Sequence, residues 1–369
     1  MRKSRIDELR GVACLLVLAF HAIGSEPSLR GDAFAYFASS LQFVRMPIFI
    51  AITGLLYGLS RGSRPLTWHG WLKRMRRLAP PFFVVTLVVC SMDALRGAGF
   101  HPIAALIFGA WHLWYLLALG VILLAVVVIE AAISLTSNRL WFAAGLAALA
   151  AAIGLLGGEQ EFGIARAVAL MPFFLAGAAI GSTPRQEVPT LGKMLIYAAG
   201  FTSLILHQLS LNGIGHPWVR GSVVATSLGL AGFMLVGALC PQSRRLRQIG
   251  VHSLPIFLWH LPVYAVASGL VLNHVSTDPH LAVMIRVVLG VYVSMLLART
   301  VEAHAPELSF LIGARSEKRR LLDERRELKV TSIKPIGIDA VVRPFSHDLL
   351  PTALSRNEES GNGDAGKRP

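Results

Sequence analysis

The sequence predicts an all-α membrane protein: a polytopic bundle of about ten transmembrane helices followed by a mostly disordered cytosolic tail. Of its 369 residues, 54% are hydrophobic and only 15% are charged, and the mean hydropathy of +0.58 lies outside the range of soluble domains. Apolar runs of about twenty residues recur along the chain, which is the length of helix that crosses a bilayer core. Ala, Leu and Gly dominate these runs and no ten-residue alternation interrupts them, so we expect helices rather than barrel strands.

The apolar runs define ten predicted spans. These are 8–24, 39–59, 78–95, 112–133, 139–156, 164–182, 192–210, 221–240, 252–271 and 281–300. With the N terminus inside, the predicted inner segments hold most of the Lys and Arg residues, and the outer segments hold little more than Arg30, Arg96, Arg166 and Arg220. This asymmetry predicts that both termini are cytoplasmic. Basic residues precede the first span and no Ala-x-Ala site follows it directly, so we expect an uncleaved span rather than a signal peptide.

The composition divides the chain into two parts. Residues 1–315 form the predicted transmembrane domain, and residues 316–369 form a charged, mostly disordered cytosolic tail. Within this tail, residues 316–329 have the pattern of a short interfacial helix.

Charge, cysteines and motifs exclude several classes of protein. The net charge of +14 is explained by cytosolic loops, which collect Lys and Arg, so no nucleic-acid partner is predicted. The three cysteines lie in or beside apolar spans without metal spacing, which indicates neither a disulfide framework nor a metal site. The chain has no zinc-protease helix and no phosphate loop. Any chemistry therefore falls to polar residues inside the membrane.

The first span carries two such residues. Arg10 and His21 are eleven residues apart, so a helix places them on one face, about 16 Å apart along its axis. In isolation, Arg10 as an interfacial cation and His21 as a structural histidine remain an equally good explanation.

Further polar residues lie in other spans. His112 opens the fourth span within an aromatic segment, and His260 lies near the middle of the ninth, where an interfacial aromatic belt does not explain it. Glu302 follows the tenth span and is either a structural ion-pair partner or a catalytic group. Arg45 and Arg286 lie near outer ends, where they can extend to the interface. Four prolines, Pro47, Pro172, Pro255 and Pro262, are expected to interrupt spans and line a cavity.

A basic cluster precedes the third span. Lys73, Arg74, Arg76 and Arg77 are followed by Pro80-Pro81. Such a cluster suits a phosphorylated cytosolic ligand, although membrane orientation or anionic lipid is the commoner reason for one.

These residues together resemble the acyltransferase-3 family of integral membrane acyltransferases, which O-acylate glycans. The arginine and histidine of the first span match its signature, and six further stretches match in order: Met46-Pro47-Ile48-Phe49 with Thr53-Gly54, Lys73 to Pro81, Trp111 to Leu116, Met171 to Gly177, Trp259 to Pro262, and Glu302. Thr53 stands where the family commonly has serine, which preserves the hydroxyl. The resemblance covers residues 1 to about 315 and is to the stand-alone members that lack a fused hydrolase-like domain.

The resemblance implies an activity and its partners. The donor would be cytosolic acyl-CoA carrying an acetyl or succinyl group, used as a substrate, with no permanently bound cofactor. The acceptor would be a hydroxyl of a surface polysaccharide or lipid-linked glycan, at a bacterial inner membrane and near polysaccharide-assembly proteins.

Each candidate residue takes a role in this scheme. Arg74, Arg76 and Arg77 would bind the nucleotide phosphates, Arg10 would orient the thioester arm, and His21 would be the general base. The remaining residues, His112, His260 and Glu302, are candidates for binding the acceptor or stabilising the oxyanion.

Two alternatives remain open at this point. A transporter or flippase for a glycan or lipid-linked sugar would also need intramembrane charge. The other large family of membrane acyltransferases uses a buried histidine on lipids or peptides, but the arginine and histidine of the first span argue against it.

Overall fold

A computed structural model describes residues 2–61, 66–132, 143–144, 163–182, 190–215, 217–272 and 278–314, and these contain helices and no β-strand. The twelve α-helices are α1 (Arg2–Gly24), α2 (Ala33–Ser40), α3 (Arg45–Arg61), α4 (Trp68–Leu95), α5 (Pro102–Phe108), α6 (Trp114–Ala132), α7 (Gly163–Ser182), α8 (Thr190–Leu211), α9 (Val223–Leu239), α10 (Arg244–Val251), α11 (Ser253–Ala267) and α12 (Pro279–His304). A π-helical turn, Ser268–Leu272, extends α11, and 3₁₀ helices occupy Pro27–Leu29 and Pro306–Ile312. The predicted all-α membrane fold is confirmed.

Seven helical segments in this part of the chain are long and apolar enough to cross a membrane. They are Ala33–Ser60, Trp68–Leu95, Trp114–Ala131, Ile164–Ser182, Thr190–Leu211, Ser253–Leu270 and Pro279–His304. The predicted first span lies within α1, which has charged residues beside its apolar run, and the eighth corresponds to α9, which has 17 residues. Apart from residues 143–144, the predicted fifth span lies outside the described residues, as does the tail. The count of ten spans therefore stays a prediction.

Several helices extend beyond their predicted spans, and two of these extensions contain candidate site residues. The third span was predicted to begin at residue 78, but α4 begins at Trp68, where the Thr67 side chain caps it by accepting a hydrogen bond from Gly70 N. The basic cluster is therefore part of the helix, because Lys and Arg are good helix formers whose charge obscured the pattern. At the other end of the chain, α12 continues to His304, so Glu302 lies within the last helix and not after it.

The expectation that four prolines interrupt spans is wrong for the helices that contain them. Pro172 and Pro262 lie inside α7 and α11, and both helices continue through them. Pro47 and Pro255, however, each lie at the third residue of a helix, α3 and α11. A first-turn residue has no intrahelical acceptor for its N–H, so proline does not break a helix there.

Helices α3 and α7 pack with their backbones in direct contact. A methyl group added to Gly54 or Gly58 would overlap the carbonyl of Phe174 or Ala178, and Gly177 and Gly181 meet the backbone of α3 in the same way. The contacts advance in the same direction along both helices, so the helices are parallel. Small residues spaced by four positions allow such close contact in membranes, where packing replaces the hydrophobic effect.

Helix α1 lies in the middle of the remaining helices and contacts α2, α3, α10, α11 and α12. Gly11 of α1 packs against the Leu246 carbonyl of α10, and Gly250 of α10 packs against the Asp7 carbonyl. Farther along α1, the Tyr264 hydroxyl of α11 donates a hydrogen bond to the Leu18 carbonyl over 3.0 Å. The helix that carries Arg10 and His21 is thus held on several sides.

The α3–α7 contact yields a first prediction. Gly54→Ala and Gly177→Ala should each lower the free energy of unfolding by about 1–3 kcal/mol, since the new methyl group meets backbone that cannot move aside. Thermal unfolding of the purified protein in detergent measures the loss. Gly237→Ala in α9 is the matched control, because a Cβ there meets no atom within 4 Å. Unchanged melting of both α3–α7 variants would show that this close packing is not required.

Candidate active site

Three histidines that are far apart in sequence come together in the structure. The ring centroids of His112 and His260 are 4.7 Å apart, those of His21 and His260 are 5.3 Å apart, and those of His21 and His112 are 6.3 Å apart. His260 is fully buried and His112 is 2% exposed. His21, three residues before the end of α1, is partly exposed.

Backbone carbonyls fix the hydrogen positions on two of these rings. Nε2 of His112 lies 3.2 Å from the Leu258 carbonyl oxygen. Nδ1 of His260 lies 2.8 Å from the Phe257 carbonyl oxygen. A carbonyl oxygen only accepts hydrogen bonds, so each of these nitrogens carries the hydrogen, and the neutral ring keeps a lone pair on its other nitrogen.

Those other nitrogens are buried without a partner. Neither Nδ1 of His112 nor Nε2 of His260 has a hydrogen-bond partner among the described residues. A buried lone pair without a donor costs free energy, so a ligand that brings an O–H group would be stabilised here. Aromatic rings lie beside the cluster. The ring centroids of Phe257 and His112 are 5.1 Å apart, and those of Tyr264 and His260 are 5.5 Å apart.

Arg10 lies farther along the same face of α1. Its Nη1 is 3.4 Å from Asp7 Oδ1, one helical turn away. Its charge also reaches Tyr115, whose hydroxyl lies near the Thr53 side chain. Tyr115 lies in the aromatic segment that contains His112. An interfacial aromatic belt accounts for the Trp and Tyr residues of this segment, so the sequence alone does not identify Tyr115 as a site residue.

The basic cluster of α4 does not present one uniform surface. Arg74 is partly buried, and its Nη1 is buried without a hydrogen-bond partner in the described part of the chain. Beside it, the Tyr57 hydroxyl donates a hydrogen bond to Glu130. Arg76 and Arg77 are exposed. Arg74 is therefore the member that faces the bundle.

Glu302 does not join the histidines. It lies sixteen residues after Arg286 in α12, which is about 24 Å along the helix. Arg286 is near the start of α12, where its guanidinium forms an ion pair with the Glu26 carboxylate, just beyond α1. Glu302 is consequently near the opposite end of the bundle from His21.

Arg286 and Arg45, both near predicted outer ends, have different environments. Nη1 of Arg286 lies 2.8 Å from Glu26 Oε2, and its Nε donates a hydrogen bond to Ser268 over 3.2 Å. Arg45 is also buried, but its Cζ lies over the Phe20 ring, 3.0 Å from the centroid. The Glu26 pair makes a structural role for Arg286 the simplest explanation.

The histidine cluster does not have the arrangement of a metal site. Within the described ranges, no three His, Cys, Asp or Glu side chains are arranged to hold a metal ion. The three cysteines are free and buried.

Buried imidazoles with available lone pairs, inside a bundle of membrane-crossing helices, define a site suited to proton transfer within a membrane protein. Comparison with known families gives the class of reaction. The sequence model of the acyltransferase-3 family, described as an acyltransferase domain, matches residues 3–299, so the chain belongs to this family. No curated protein and no solved structure matches the chain.

The ion pair between Glu26 and Arg286, near the start of α12, makes stability depend on pH. Partial burial raises the pKa of the Glu26 carboxyl, but hydrogen bonds from Ser28 and Arg286 and the charge of Arg286 outweigh this, so the pKa lies below its ordinary value of 4.5. A carboxyl with a lowered pKa stabilises the fold above its ordinary pKa, and that contribution disappears as pH falls through the lowered value.

Glu26→Gln should therefore melt at a lower temperature than the unchanged protein at pH 7, and the difference should shrink as the pH falls below 4.5. Thermal unfolding across this range measures both effects. Glu307→Gln, at an exposed residue, is the control. A gap in melting temperature that stays constant with pH would contradict the ion-pair explanation.

Proposed function

We propose that this protein transfers an acyl group, acetyl or succinyl, from cytosolic acyl-CoA to a hydroxyl of a surface polysaccharide or other extracytoplasmic glycan. The family assignment supports acyl transfer. The observation that carries the finer proposal is the cluster of His21, His112 and His260, whose rings meet although they lie on different segments of the chain.

His21 is the proposed general base. It takes the proton of the acceptor hydroxyl while the acceptor oxygen attacks the thioester carbonyl. The new C–O ester bond forms, the C–S bond breaks, and the imidazolium returns the proton to the departing coenzyme A thiolate. His21 suits this role because it is the one histidine of the three with an exposed part, where a substrate can reach it.

The hydrogen-bond pattern favours acceptor binding over oxyanion stabilisation for His112 and His260. An oxyanion needs N–H donors, and the single N–H of each neutral ring is already donated to a backbone carbonyl. What each ring still offers is a lone pair, which accepts a hydrogen bond from a sugar hydroxyl. Glu302, near the other end of the bundle, has no part in this step of the proposal.

The donor is proposed to enter from the cytosolic side. Arg74, Arg76 and Arg77 bind the coenzyme A phosphates, and the buried part of Arg74 faces the bundle. Arg10, between this side and His21 on α1, orients the thioester arm beside Tyr115 and Thr53. The coenzyme is a substrate in this scheme, and no bound cofactor or metal is needed.

The proposed setting is a bacterial inner membrane with both termini cytoplasmic. The uneven distribution of Lys and Arg supports this orientation. The parallel arrangement of α3 and α7 agrees with it, because the second and sixth predicted spans must then run in the same direction. Glycan-assembly proteins are the proposed neighbours, since they present the acceptor.

The transporter alternative is less well supported. A proton relay needs a continuous series of titratable groups across the membrane, and Glu302 lies near the opposite end from the histidines. The family match is also to an acyltransferase domain.

The central prediction concerns the proposed base. His21→Ala should lower acyl transfer by roughly 10²- to 10⁴-fold, the usual contribution of a positioned base, while acyl-CoA binding is retained. Arg10→Ala should instead weaken acyl-CoA binding, and Arg10→Lys should restore only part of it, because a point charge does not replace the guanidinium fork. Labelled acyl transfer to the glycan and acyl-CoA binding to purified protein measure the two effects.

The control for this experiment is His304→Ala, at an exposed histidine near the end of α12. Near-normal acylation by His21→Ala at matched protein levels would show that His21 is structural, and the proposed mechanism would then be wrong.

A further prediction separates the members of the basic cluster. Arg74→Gln should weaken acyl-CoA binding more than Arg76→Gln or Arg77→Gln, because the partly buried charge is less screened by salt than the exposed ones. Binding titrations at low and high ionic strength test this. Arg299→Gln, at an exposed arginine of α12, is the control. Equal acyl-CoA affinity for the three cluster variants and the control would show that the cluster does not bind acyl-CoA. Its role would then be membrane orientation or binding of anionic lipid.

A further inference from the structure

Arg45, at the start of α3, is buried like a core residue but lacks the partner that a core arginine needs. It is 6% exposed. Its guanidinium lies over the ring of Phe20, and its buried Nη1 has no hydrogen-bond partner in the described part of the chain. An unpaired N–H on a buried cation costs considerable free energy. A ligand oxygen would relieve this cost.

Arg286 shows how the fold treats a structural arginine. It has the same 6% exposure as Arg45. The chain supplies it with the Glu26 carboxylate at 2.8 Å and the Ser268 hydroxyl at 3.2 Å. For Arg45, the corresponding contact is with the aromatic ring of Phe20. The difference indicates that the hydrogen-bonding capacity of Arg45 is reserved for something other than the fold.

Two further arginines lie on the same side of the bundle. The guanidinium carbons of Arg166 and Arg220 lie 4.8 and 5.1 Å from the ring centroid of Trp114. Arg220 is close enough to Arg45 for their charges to repel, and Arg166 is close enough to Arg220. Positive charges gathered in this way create a potential that attracts an anion.

The arginines lie next to the proposed catalytic base. Arg45 contacts Phe20, the residue before His21, and its charge reaches the His21 ring. Helices α3, α6 and α7 all begin at this end of the bundle, so the positive ends of their dipoles add to the potential. An anion bound to Arg45 would therefore be held within about one sugar ring of His21.

We propose that Arg45, assisted by Arg166 and Arg220, binds a carboxylate or phosphate group of the acceptor, so that the acceptor is an anionic glycan. This inference rests on the proposed function. The planar guanidinium group accepts both oxyanions in a two-pronged geometry. The charged group then positions a nearby hydroxyl at His21, and neutral glycans of the same shape are poor acceptors.

The test measures glycan binding without acyl-CoA, using the full chain in phosphatidylcholine nanodiscs. The probes are a galacturonic acid tetrasaccharide, its carboxyl-reduced galactose counterpart, and that neutral form carrying a phosphate. The protein should bind the carboxylate or the phosphate probe at least about 10-fold more tightly than the neutral one, which is the contribution of a charged hydrogen-bonded pair. The tighter of the two charged probes identifies the natural anion.

Substitutions then assign this preference to the arginines. Arg45→Gln should bring the ratio of charged to neutral affinity close to one, and Arg45→Lys should retain part of it. Arg220→Gln, in the loop before α9, should lower the ratio by a smaller factor and serves if Arg45→Gln does not fold. Arg30→Gln, at an exposed arginine of the loop after α1, should leave the ratio unchanged.

Equal affinity for the charged and neutral probes would overturn the proposal, and so would an unchanged affinity ratio in both Arg45→Gln and Arg220→Gln. Loss of all preference for the charged probes in phosphatidylglycerol nanodiscs would also overturn it, because the site would then bind a lipid headgroup. Failure of the proposed function is distinguishable from these, because it would abolish acyl transfer to every acceptor while the binding preference for anions remained.

Discussion

A helix with Asp7, Glu8, Arg10 and His21 on an apolar background cannot face lipid on all sides, and this constraint determines the arrangement around it. Unsatisfied polar groups in hydrocarbon cost several kcal/mol each, so neighbouring helices must cover them. Helix α1 is accordingly packed against α3, α10, α11 and α12, with glycines where the backbones are closest. His260 reaches His21 because α11 packs against α1. His112, just before α6, joins them through its hydrogen bond to the Leu258 carbonyl of α11.

The sequence predicted those features that depend on composition and spacing. The helical membrane class follows from the length of the apolar runs, and the grouping of polar residues on one face of α1 follows from helix geometry. Sequence also identified His21, His112 and His260 as candidates, and the structure brings them together. The polarity pattern failed at helix ends: charged residues in the first turns of α4 concealed a helix that Thr67 caps.

Other features depend on contacts between distant parts of the chain, which spacing does not encode. Arg45 and Arg286 are equivalent in sequence, each a lone arginine near the outer end of a span. The partner of Arg286 is Glu26, 260 residues away, and no local pattern reveals that Arg45 lacks one. In sequence, Tyr115 is likewise indistinguishable from an interfacial aromatic residue, because its proximity to Thr53 and to the charge of Arg10 arises only in the fold. The separation of Glu302 from the histidine cluster also depends on the direction and length of α12, which the sequence pattern does not give.

The glycine contacts between α3 and α7 have a mechanical consequence. Where backbone lies against backbone without intervening side chains, one helix cannot slide or rotate past the other without atomic overlap, so the pair moves as a single rigid body. Arg45 and Thr53 belong to α3, and Arg166 belongs to α7. This rigid body therefore carries all three side chains. Any relative motion of the helices must therefore take place around α3 and α7, for example in α8, whose surface is largely uncovered.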